Sequence, residues 1–124
     1  MPFRYAGHAE QRIDDIILES ARRWGLEAAG RYHLLILAAI GVVGERPDTL
    51  GSREIPRVPG LRTYDLRLAR HLVPPEQRVG RPRHILVSRV APEGVAEILS
   101  VVHDRMLLSR AARRALRAAQ GRGQ

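Results

Sequence analysis

Apolar residues recur at helical intervals in the first third of the chain. Ile13, Ile16, Ile17, Ala21 and Trp24 are separated by steps of three, four and seven. Arg12, Asp15, Glu19, Arg22 and Arg23 fall on the opposite face. This predicts an amphipathic helix, which Gly25 ends as a C-terminal cap. A second helical set follows at once: Ala28, Tyr32, Leu35, Ile36, Ala39 and Val43. It stops around Gly44, and Pro47 forbids continuation. So short a link folds the two helices into an antiparallel hairpin. Their shared apolar face needs a layer to cover, and a sheet is the natural one.

Strand signals flank the hairpin. "FRYAG" at the start predicts a short strand. Asp48 to Gly60 reads as a Gly- and Pro-rich loop. After it, Tyr64, Leu66, Leu68 and Leu72 point one way, and Thr63, Asp65 and Arg67 the other. Pro74 to Pro82 is a further loop. Arg83 to Val90 and Val95 to Val102 flank the turn "APEG", which makes a β-hairpin. The fold class is therefore α+β, in the order β-α-α-β-β-β. A helical hairpin packs on a small, mainly antiparallel sheet. The last two strands are apolar on both faces. By alternation Leu99 and Val101 share one, and Ile98 and Val102 the other. One face packs on the helices. The other calls for the chain's own tail, a second copy or a partner. The tail is a candidate basic amphipathic helix: Arg110, Arg113, Arg114 and Arg117 line one side, and Ala112, Ala115, Leu116 and Ala119 the other.

Composition narrows the classes. The chain's 124 residues suit one domain. There is no cysteine, so neither a disulfide nor a thiolate metal site can form. The longest apolar run, Leu34 to Val43, is about half a membrane span, and the start lacks a signal-peptide core. The expectation is a cytoplasmic protein without a membrane partner. All 21 basic residues are arginine, and the net charge is +8. Residues 1–60 are neutral, with eight arginines and eight acids; residues 61–124, with thirteen and five, carry the whole excess. That half expects an acidic partner, either nucleic acid or an acidic protein segment.

Several chemistries find no motif. Without lysine there is no P-loop, and neither Gly-x-Gly-x-x-Gly nor Gly-x-Ser-x-Gly occurs. The five histidines lack helical metal-ligand spacing, so no metal or cofactor is expected. What remains is a set on the strands: Arg62, Arg67, Arg83, His84, Arg89, His103 and Arg105. These residue types suit phosphodiester cleavage in RNA, with a base for the ribose hydroxyl and an arginine for the transition-state charge. In a regular strand His103 and Arg105 share a face and Asp104 takes the other, so "HDR" is not a triad.

Three segments in order resemble ParE toxins of the RelE/ParE superfamily. They are "AEQRIDDIILESARRWGLEAAGRYHLLI", "GSREIPRVPGLRTYDLRLAR" and "RPRHILVSRV…VAEILSVVHDRM". The resemblance implies one toxin domain over residues 1–110 and a basic C-terminal extension over 111–124. It implies a type II toxin–antitoxin toxin that acts by binding and poisoning DNA gyrase, meeting DNA only indirectly and without catalysis. A ParD-like antitoxin would hold it in a hetero-oligomer through an acidic segment. Arg12, Arg23, Arg31, Arg62, Arg67 and Arg83 are the candidates for that partner, and Arg89, Arg105, Arg110 and Arg113 for the target. The alternative is a RelE-like ribosome-dependent mRNA endoribonuclease, with His103 and Arg105 catalytic.

Overall fold

The structure, a computed structural model, describes residues 3–56, 58–104 and 108–122. It is α+β. Strand β1 (Phe3–Tyr5) leads into helices α1 (Ala9–Trp24) and α2 (Leu26–Glu45). Strands β2 (Arg53–Ile55), β3 (Val58–Asp65), β4 (His84–Val90) and β5 (Ala96–His103) follow, and helix α3 (Leu108–Arg122) closes the order. The five strands form one mixed sheet, β1-β5-β4-β3-β2. β1 pairs with β5 in parallel, Phe3 opposite Ala96; the remaining pairs are antiparallel.

The helical hairpin has its expected cause. Gly25 alone links α1 to α2, at φ 93°, a conformation that only glycine adopts without strain. Its N–H still closes α1 by donating to the Ala21 carbonyl at 2.9 Å. Ile13 and Ile16 from α1 and Tyr32, Leu35, Ile36, Ala39, Ile40 and Val43 from α2 form one core with Leu86, Ile98 and Val101 of the sheet. By length and composition α2 could cross a membrane. Here one side of it is buried in this core, which is reason enough for its apolar character.

A second core lies on the other face of the sheet. Leu61, Val87, Leu99 and Val102 pack there against Ala111 and Ala112 of α3, with Ala115, Leu116 and Ala119 partly buried beside them. The tail is therefore the cover that the two-sided strands called for. Residues 111–122 belong to α3, and Ala111, Ala112, Ala115, Leu116 and Ala119 pack on the sheet.

Three local expectations change. Arg53–Ile55 is a short strand inside the segment read as loop. The run Leu66 to Leu72 is a 3-10 helix and not a strand continuation. Asp65 turns the chain there, its Oδ1 accepting the Arg67 N–H at 2.9 Å. The third change matters most for function. Val87 pairs with Ser100, but Ser88 pairs with Ile98, so Leu99 is an extra residue in a β-bulge. Alternation resets at that point. Ile98 and Val101 face the helical hairpin, while Leu99 and Val102 face α3. The predicted pairs, Leu99 with Val101 and Ile98 with Val102, are thus exchanged.

Candidate functional site

The bulge builds the site. Counting outward from the turn, an unbroken hairpin sets His84 opposite Val102. One extra residue in β5 moves the register by one, and His84 meets His103. The two imidazoles lie edge to face, with centroids 5.4 Å apart. Both project to the helical side, where Tyr32 of α2 packs edge to face on His84, again at 5.4 Å.

Hydrogen bonds lock this group together. The Tyr32 hydroxyl accepts the backbone N–H of Arg83 at 3.1 Å and makes a short contact with His84 Nδ1. With one bond accepted from Arg83, we assign the hydroxyl's own proton to Nδ1. The proton of a neutral His84 then sits on Nε2. Burial, seconded by the nearby His103 and Arg12, lowers the His84 pKa to about 4, so the ring is neutral at neutral pH. Burial also raises the Tyr32 phenol above its ordinary value, which keeps it a donor.

Asp104 lies just past the end of β5, in a turn. There it escapes the alternation that would have set it on the opposite face from His103. Its Oδ1 is 3.2 Å from His103 Nδ1. Its backbone N–H donates to the Arg83 carbonyl at 2.8 Å, and Arg83 Nε donates to its Oδ2 at 3.0 Å. The Arg83 hydrogen bond holds the Asp104 carboxyl below the usual carboxylate range. An ionised Asp104 favours a proton on His103 Nδ1. The expectation that His103 and Asp104 are split is therefore corrected: they are neighbours. Arg105 lies outside the described residues.

This group forms one wall of a cleft of about 780 Å³ between the helical hairpin and the β3–β4 connection. Arg12, Arg23, Arg31, Arg78, Arg81 and Arg83 line it, with Trp24, Ile16, Ala28 and Val79 supplying apolar surface. Arg12 Nε donates to the Val101 carbonyl at 3.1 Å, and Arg23 is paired with Glu19. Among the described residues no carboxylate pairs with the guanidinium of Arg31 or Arg81.

The sequence-derived arginines thus divide. Arg12, Arg23, Arg31 and Arg83 converge on the cleft. Arg67 reaches Asp65 at 3.1 Å and Asp104 at 3.8 Å, at the edge of the same end of the sheet. Arg62 is elsewhere, bonded to Ser52 of the segment before β2. Arg89 is at the far end of the hairpin, paired with Glu97 at 2.6 Å. Arg110 and Arg113 are exposed on α3. Tyr32 was read only as a core residue. Its polar tip on an otherwise apolar helical face was the one signal available, and nothing local tied it to His84, 52 residues on.

No known protein family matches this chain, and no curated protein matches it either.

Proposed function

We propose that this protein is the toxin of a type II toxin–antitoxin pair, cytoplasmic, acting on DNA gyrase by binding. An antitoxin with an acidic, amphipathic segment neutralises it. The observation that carries the partner reading is the cleft, whose apolar floor and arginine rim match such a segment. Its apolar residues would seat beside Trp24, Ile16 and Val79, and its carboxylates would reach Arg31 and Arg81. This moves the docking site from the outer sheet face, which α3 covers, to the helical side. Gyrase as the target comes from the family resemblance.

A second reading has an observation of its own. The Tyr32–His84–His103–Asp104 group resembles acid–base machinery set in an arginine-lined cleft. In that reading His103 would take the ribose 2′-hydroxyl proton as that oxygen bonds phosphorus and the P–O5′ bond breaks, the resulting imidazolium would return the proton to the leaving 5′-oxygen, and the arginines would stabilise charge at phosphorus. That is the chemistry of an mRNA endoribonuclease. Purified protein tested on gyrase supercoiling and on ribosome-bound mRNA separates the two. Inhibited supercoiling with intact RNA supports the first reading. Unaffected supercoiling at micromolar protein overturns it, and cleavage lost on His103→Ala establishes the second.

A further inference from the structure

Helix α3 presents a second basic surface, remote in character from the cleft. Residues 105–124 hold six arginines and no acid. Within α3, Ala111 and Ala112 are buried, and Ala115, Leu116 and Ala119 are half-buried against the sheet. The helix is therefore held in one rotational setting. That setting turns Arg110, Arg113, Arg114 and Arg117 to solvent. They are spaced three, four and seven apart, so they form one stripe on one face. At 1.5 Å per residue the stripe runs about 10 Å along the helix axis. Among the described residues no carboxylate pairs with Arg110, Arg114 or Arg117.

The partner follows from what the stripe lacks. Ala111, Ala112, Ala115, Leu116 and Ala119 of α3 are spent on the sheet, and among the side chains described on its outward face none is large and apolar. An amphipathic acidic peptide needs apolar anchors as well as cations, and the cleft provides both where α3 provides one. A surface made of guanidinium groups alone suits a polyanion with regularly spaced charges. The planar, forked donors of arginine match phosphate oxygens. We propose that the outward face of α3 docks the phosphate backbone of a nucleic acid through Arg110, Arg114 and Arg117. The binding is sequence-independent and uses no base contact. It stands whether or not the chain is a gyrase poison. Where that reading also holds, α3 would hold the protein directly on the DNA that gyrase is passing, and not only indirectly.

The test is fluorescence anisotropy of the full chain on a labelled random-sequence DNA duplex across a salt series. Three phosphate contacts give a slope of about −2.7 in log affinity against log salt, or about 40-fold weaker binding for a fourfold rise in salt. The triple variant R110Q/R114Q/R117Q should lose most of that slope, whereas R31Q/R81Q in the cleft should keep it. Replacing the same three arginines by lysine should also keep it, since charge is the source. A wild-type slope in the glutamine variant, or loss of slope in the cleft variant alone, overturns the proposal. Equal α3-dependent binding of polyglutamate of matched charge also overturns it, in favour of an acidic protein partner. Photo-crosslinking of the wild-type complex gives a readout free of folding effects. Adducts within residues 108–122 support the proposal, and adducts confined to the cleft segments contradict it.

Discussion

The two ends of the β4–β5 hairpin carry polar clusters of opposite design. At the turn end, Arg4 and Arg89 both bond the buried Glu97, at 2.7 and 2.6 Å, and Arg4 also bonds Glu93 at 3.1 Å. Two cations meet two anions, and the charge closes on itself. At the open end sit two imidazoles, a phenol and one carboxylate, facing a cleft in which arginines outnumber acids. The first cluster fastens β1 to the hairpin. The second ties its own groups together but leaves the Arg31 and Arg81 guanidinium groups of the cleft without a carboxylate among the described residues. A difference of this kind, between strands that are the same two strands, marks where a partner is expected.

Acid should separate the two ends most strongly. The low pKa of His84, about 4 against an ordinary 6.5, means that the unfolded chain binds a proton the fold refuses. Its share of stability is complete above pH 6.5, declines as pH falls, and is exhausted below about pH 4. A shift of that size corresponds to about 3 kcal/mol. Urea unfolding at several pH values should show the decline, and His84→Asn, which keeps an acceptor for Tyr32, should flatten it. Glu97 behaves differently. Burial raises its pKa, but the Arg4 and Arg89 bonds outweigh that and leave it below its usual 4.5. Its contribution is thus retained down to about its usual 4.5 and is lost below that, as pH falls through the lowered value.

Glu97→Ala ranks next. It removes the shared acceptor of two guanidinium groups and should cost about 2 kcal/mol by denaturant titration, with cleft binding unchanged. Tyr32→Phe should cost about 1–2 kcal/mol, because the Arg83 N–H and His84 Nδ1 each lose a partner. In heteronuclear NMR the same change should alter the His84 tautomer signature, which Glu97→Ala should not touch. The smallest expected effect on stability belongs to Arg31→Gln with Arg81→Gln, within about 0.5 kcal/mol. Isothermal titration with an acidic amphipathic peptide should show that pair as the largest loss of binding. If instead it destabilises the fold like Glu97→Ala, the contrast between the two ends fails.

The elements that could be read from sequence are those set by local rules. The isoleucine ladder and the Tyr32-to-Val43 face each repeat at helical period; Ile13, Ile16 and the Tyr32-to-Val43 face are buried as that period requires, while Trp24 at the end of the first face is exposed. The hairpin turn was legible in "APEG", where Ala91 N donates to Val95 O at 2.8 Å. What stayed hidden was nonlocal. Nothing near Leu99 announces a bulge, since every neighbour is a sound strand residue, and the bulge alone exchanges the faces. The His84–His103 pair depends on that one-residue offset, and Tyr32 joins it only through the packing of α2. Arg12, Arg23, Arg31 and Arg83 of the cleft were found by charge, whereas Arg78 and Arg81 lay unnoticed in the loop before β4, and the reason all six converge is tertiary. Leu68 and Leu72 misled because they continue the alternation of β3, whereas the 3-10 helix buries Leu66 and Ala69, three apart, and leaves Leu68 and Leu72 exposed.

The parallel pairing of β1 with β5 has a consequence for how the protein comes into being. Arg4 and Glu97 bond across 93 positions of sequence. At a synthesis rate of about 5–20 residues per second, the first strand waits on the order of 5–20 s for its neighbour. During that wait the α1–α2 hairpin exists without the sheet, its isoleucine face open to chaperones or to a partner. Because β5 supplies His103 as well as the pairing edge, the cleft is assembled only when the last strand arrives. In a nascent chain the cleft therefore lacks its His103 wall until β5 has been made.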